Sequence, residues 1–126
     1  MTDAIVLTDK QRAELLRVFG AFAPVVQRVD VYGSRARGDA HPGSDIDLIV
    51  DGPVKLDTLL RIAGALEDSY LSIFADVTAY NRLEPGRFAD QIARDAKTLF
   101  DNKDLAQAPP FIPVDGLVEW YRPVAA

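Results

Sequence analysis

Two aspartates one residue apart, Asp45 and Asp47, stand at the head of an apolar run made by Ile46, Leu48, Ile49 and Val50. On a strand, positions two apart point to the same face, so both carboxylates face one way. Side by side they repel, and each raises the other's pKa unless a cation joins them. Oxygen ligands of this kind suit a hard ion such as magnesium. Upstream lies Gly33-Ser34, separated from Asp45 by the ten residues 35–44 and preceded by Val31-Tyr32. A glycine at a strand end allows a tight turn and a close backbone approach. The N–H groups of such a turn form an anion site suited to phosphate, and the Ser34 hydroxyl adds a donor. Taken singly, the pair Gly33-Ser34 is an ordinary turn, and Asp45 and Asp47 are strand-capping carboxylates. Together they are the equipment of phosphoryl or nucleotidyl transfer. Arg35 and Arg37 could neutralise charge developing on the leaving group, or they are solvated loop charges. His41 reads as a surface residue of the same loop.

These elements must position the pair. Thr8 and Gln11 form a capping-box pattern, which predicts a helix over residues 9–20 ending near Gly20 and Pro24. Residues 25–32 read as a first strand, with Val29 and Val31 facing one way. After Gly33-Ser34 the pattern predicts a short helix and a loop, then the turn Pro42-Gly43-Ser44. In the second strand Ile46, Leu48 and Val50 face away from the aspartates and should pack under a helix. Residues 55–70 read as that helix, with Leu56, Leu59, Leu60, Ala63, Leu66 and Leu71 recurring at three and four residues. Residues 72–80 read as a third strand in which Asp76 shares a face with Phe74 and Thr78. An aspartate in an apolar strand is costly unless it is paired, metal-bound or facing water at a sheet edge. A last helix is predicted over 87–100, with Phe88, Ile92, Ala96 and Leu99 as its stripe.

Gly33-Ser34, the ten-residue gap and Asp45-Ile46-Asp47 together resemble the signature of the DNA polymerase β-like nucleotidyltransferase superfamily. The resemblance runs over roughly residues 8–100, and its motif spacing is specific. For so short a chain it is similar to the minimal nucleotidyltransferase (MNT) group, antitoxin partners of HEPN-domain toxins. The resemblance implies an α+β fold with a small mixed sheet flanked by helices. It implies a third acidic residue on the strand after the helix, a position that Asp76 alone can fill here. Asp45, Asp47 and Asp76 would then be the catalytic and metal-binding set, using Mg2+, with Gly33, Ser34, Arg35 and Arg37 against the nucleotide. It further implies transfer of AMP from ATP to a hydroxyl, typically of tyrosine, on a HEPN toxin. Two alternatives stand beside it: a non-catalytic module that masks a toxin, and a small-molecule transferase of the aminoglycoside-modifying kind.

The totals fit this expectation. The 126 residues suit one domain, and 48% hydrophobic against 26% charged residues permits a core. The expected division is a transferase domain over 1–100 and an apolar, proline-rich tail over 101–126. Phe111, Ile112, Val114, Leu117, Val118, Trp120 and Tyr121 should dock that tail on its own domain or on a partner. A chain of this length leaves no room for a separate acceptor domain, so the acceptor is expected to arrive as a partner protein. No apolar run is long enough to span a bilayer, no signal peptide is visible, and cysteine is absent. A cytoplasmic location is expected. A net charge of −5 argues against general nucleic-acid binding and permits a basic protein partner. Homo-oligomerisation stays open.

Overall fold

The computed structural model describes residues 5–109. Helix α1 spans Asp9–Gly20 and begins as its capping box requires: Gln11 N–H donates to Thr8 Oγ1 at 3.1 Å, and Thr8 N–H donates to Gln11 Oε1 at 3.0 Å. Strand β1 (Arg28–Tyr32) follows, then the one-turn helix α2 (Ser34–Arg37), strand β2 (Ile46–Asp51), helix α3 (Leu56–Glu67) and strand β3 (Ala75–Ala79). A single 3-10 turn, Tyr80–Arg82, leads to helix α4 (Arg87–Asp95), strand β4 (Lys97–Phe100) and helix α5 (Asn102–Ala106).

The strands form one sheet in the order β3-β2-β1-β4. Strand β1 is antiparallel to β2 and β4, while β2 and β3 are parallel. A parallel pair needs a crossover, which α3 supplies. The sheet is therefore mixed, and the α+β arrangement expected from the sequence is present.

Alternation gives the sheet two unlike faces. Val29, Val31, Ile46, Leu48 and Val50 point to one face and are fully buried with Leu15, Val18 and Phe19 of α1 and Ile62 and Leu66 of α3. The opposite face carries Asp30, Tyr32, Asp47, Ile49 and Asp76. There α4 contributes Ile92, which packs with Tyr32 and Ile49. On this second face Asp30 is buried but satisfied: Tyr80 Oη donates to it at 2.6 Å and Arg28 Nε at 3.1 Å.

Three expectations change. Helix α3 buries Thr58, Ile62, Ala65 and Leu66, while Leu56 and Leu60 face outward at 50% and 63% exposure. Apolar residues cover more than half of this helix's circumference, so spacing alone could not say which third meets the sheet. The helix expected over 87–100 stops at Asp95. Ala96 turns extended, and Leu99 and Phe100 join β4 along the edge of β1. Free backbone groups on β1 outweigh the helical spacing of Ala96 and Leu99. Past residue 100, α5 starts with a second capping box, Asp101 with Asp104, and Leu105 enters the main core. The apolar tail residues from Phe111 to Tyr121, Trp120 included, lie outside the described residues. Among the described residues no helix is long and apolar enough to cross a membrane.

Candidate active site

The register of three strands builds one row. Tyr32 on β1 pairs with Asp47 on β2, and Asp47 pairs with Asp76 on β3. Paired residues on neighbouring strands share a face. The phenol and the two carboxylates therefore stand side by side on the face opposite the main core. Asp45, exposed just before β2, is close enough that its charge acts on Asp47.

Gly33 lies against this row. It follows Tyr32 directly and adopts φ +75 and ψ −155, a conformation open to glycine. A Cβ here would lie 2.5 Å from Asp47 Oδ2. The backbone turn therefore lies against the carboxylate, and a side chain at this position would have to push it aside. Ser34 starts α2, and the N–H groups of Ser34 and Arg35 at its opening have no acceptor within the helix. The carbonyl of Gly33 accepts from Ala36 and Arg37, both at 3.0 Å, which holds the turn shut.

Electrostatics mark Asp47 as the strained member. Burial raises its pKa first, the charges of Asp76 and Asp45 raise it further, and Arg37 opposes them. The Tyr32 phenol is pushed up to about 12, chiefly by burial and then by Asp47 and Asp76. It stays a proton donor at any ordinary pH. Its ring is held edge-on by Phe88 of α4, with centroids 5.8 Å apart.

The two arginines do different work. Arg35 is 2% exposed, and its guanidinium is committed to backbone carbonyls. Nη1 donates to Val6 at 2.7 Å, Nη2 to Ser44 at 2.8 Å and to Pro42 at 3.1 Å, and Nε to Ser44 at 3.1 Å. It ties the segment leading into α1 to the loop that delivers Asp45 and Asp47. Arg37 is exposed and bridges Asp39 and Asp95 at 3.3 and 3.1 Å. His41 is exposed too, and its backbone N–H donates to Ser44 Oγ at 3.0 Å.

The donor set fits an open magnesium site. Among the described residues no three Asp, Glu, His or Cys side chains form a ready-made cluster. Magnesium takes one or two carboxylates and completes its shell with water and substrate phosphates. Asp47, whose ionised form is disfavoured by burial and by two neighbouring carboxylates, is a group that a cation would relieve.

The sequence reading placed Gly33, Ser34, Asp45, Asp47 and Asp76, and the fold brings them to one corner of the sheet. It missed Tyr32 as a member of the row. The available signal was parity, since Tyr32 alternates with Val31, but only the β1–β2 register sets it opposite Asp47.

No curated protein matches the chain in sequence. One structurally similar chain belongs to a toxin–antitoxin crystallised with AMP-PNP: TM-score 0.58, 22% identity, covering 78% of each chain. Another belongs to a mutant of the toxin–antitoxin MntA-HpeT: TM-score 0.57, 20% identity, covering 79% of this chain and 82% of that one. Both share the fold. The profile of the family described as "Polymerase beta, Nucleotidyltransferase" matches residues 7–105, from the cap of α1 to the core leucine of α5. With most of its length matched and the Gly33 turn set against Asp47, the chain belongs to the polymerase β nucleotidyltransferase family.

Proposed function

We propose that this chain transfers AMP from ATP to a hydroxyl, that of a tyrosine on a HEPN-type toxin, and acts as the toxin's antitoxin. The observation that carries the reading is the row of Asp47 and Asp76 with the Gly33 turn packed against it. The likeness to two toxin–antitoxin structures, one crystallised with AMP-PNP, supports the partner and the nucleotide.

Asp45 and Asp47 would hold magnesium together with the triphosphate, and Asp76 would share in that binding. The ion supplies charge neutralisation on the phosphates when bound. The backbone N–H groups at Gly33-Ser34 and the Ser34 hydroxyl hold the pyrophosphate end. Asp76 accepts the proton of the acceptor hydroxyl as its oxygen attacks the α-phosphorus. The bond from that phosphorus to the bridging oxygen breaks, and pyrophosphate leaves. Arg37 stands close enough for its charge to act on Asp47 and can offset charge on the leaving group. Arg35 supports the loop through the backbone carbonyls its guanidinium holds.

A second reading, masking without transfer, draws on the outward Leu56, Leu60 and Tyr70, which could bind a partner. One experiment separates the two. The chain is incubated with magnesium-ATP and a HEPN-type toxin, and the toxin is weighed by mass spectrometry. Transfer adds AMP, and Asp47→Asn abolishes the addition. A neutralised toxin of unchanged mass supports masking.

A further inference from the structure

Among the described residues strand β3 is the end of the sheet, and its outer edge borders a groove. The Ile46 N–H donates to the Phe74 carbonyl at 2.9 Å. In a parallel ladder this parity turns the backbone groups of residues 74, 76 and 78 toward β2, and those of Ala75 and Val77 toward the open edge. Beside that edge, between β3 and α3, lies a groove of about 240 Å3. Leu66, Leu71, Ile73 and Val77 give it an apolar floor, Glu67 is acidic, and Asp76 borders it on β3 while sharing the opposite face with Asp47. Phe74 stands at its mouth, 61% exposed.

We infer that the acceptor enters as an extended segment of the partner protein that adds a strand to the open edge of β3. The inference rests on the transfer reading above and specifies how the acceptor binds. Continuity carries it: Asp76 lines the groove and stands in the row with Asp47. A residue paired with Asp76 across the new strand boundary shares its face, at the spacing of a cross-strand pair. A hydroxyl residue in that register reaches the carboxylates. Its two neighbours point the other way, over the apolar floor. Main-chain hydrogen bonds to Ala75 and Val77 hold the segment, and side-chain pockets select it. The acidic lining calls for a cation nearby. The acceptor chemistry is therefore apolar, hydroxyl, apolar, flanked by lysine or arginine.

The test uses a fluorescein-labelled peptide, Lys-Lys-Ser-Val-Tyr-Val-Ser-Lys, and the full chain without ATP. Binding is read by anisotropy. Two further peptides are N-methylated, one at both valines and one at the tyrosine. These remove the N–H groups that face β3 in antiparallel and in parallel addition respectively. The expected result is that one of the two loses at least about tenfold in affinity and the other does not. Phe74→Glu, at an exposed position outside the catalytic machinery, should weaken the parent peptide by about tenfold or more. The inference is overturned if neither methylated peptide differs from the parent, or if Phe74→Glu binds as the wild type does. A chain that dimerises through this edge, dissociates on Phe74→Glu and binds no peptide would give the edge to a second copy instead. Peptide binding with no AMP transferred to the toxin on adding magnesium-ATP supports the groove and refutes the transfer reading. Transfer to the toxin with no peptide binding refutes the groove alone.

Discussion

Gly33→Ala tests the geometry at its tightest point. Two penalties meet there. At φ +75 and ψ −155 an alanine occupies a region that non-glycine residues rarely adopt, at a cost of about 1–3 kcal/mol. Its Cβ would also lie 2.5 Å from Asp47 Oδ2, so the carboxylate must swing aside. Forcing Asp47 off its rotamer costs roughly 0.5–1.5 kcal/mol more. The expected stability loss is about 2–4 kcal/mol by urea unfolding. The functional loss should exceed what partial unfolding explains. A displacement of about 1 Å at a reacting group costs on the order of a hundredfold. Transfer is measured at a temperature where the variant is folded, with magnesium-ATP affinity measured alongside. Gly38→Ala is the control, because Gly38 also has positive φ, +93, but no atom stands within 4 Å of its Cβ position. It should lose about 1–2 kcal/mol and keep its chemistry. If Gly33→Ala transferred at the wild-type rate, or cost no more stability than Gly38→Ala, the turn would not be serving Asp47.

Asp76→Asn should keep the melting temperature and most ATP affinity while transfer drops by at least about a hundredfold, the low end for losing a general base. Normal transfer by a folded Asp76→Asn protein would remove that strand from the chemistry. Arg35→Lys should behave in the opposite way. The fork that serves Val6, Pro42 and Ser44 is lost, leaving part-buried carbonyls unpaired, so stability should fall by about 1–3 kcal/mol, with activity tracking the folded fraction. Asp47→Asn should raise the melting temperature at pH 7. The raised pKa of Asp47 means that the folded state binds its proton more tightly than the unfolded state, so stability falls as pH climbs from the usual carboxylate range through the folded value. Below that range both states are protonated, and the advantage of the variant should vanish near pH 3. Magnesium should stabilise the wild type at pH 7 and leave Asp47→Asn unmoved, as followed by differential scanning fluorimetry.

Much of the site is legible because its signals are local. Gly33, Ser34, Asp45 and Asp47 are written in one short stretch, where a turn residue, a fixed gap and strand alternation set their relation without help from distant chain. The α1 cap is likewise a three-residue pattern, and Thr8 and Gln11 meet as that spacing requires. Tertiary structure decided what depends on pairing. Asp76 is 29 residues from Asp47 and faces it only because α3 returns β3 parallel to β2 in that register. Tyr32 joins the row through the β1–β2 register, and Lys97–Phe100 leave a helical pattern because β1 has an edge to fill. Arg35, read from sequence as a charge for the nucleotide, finds carbonyls from two remote segments and becomes a brace. Periodicity states which residues can share a face. Which face is buried, and which strands meet, is settled by hydrogen bonds and packing between segments that are far apart in the chain.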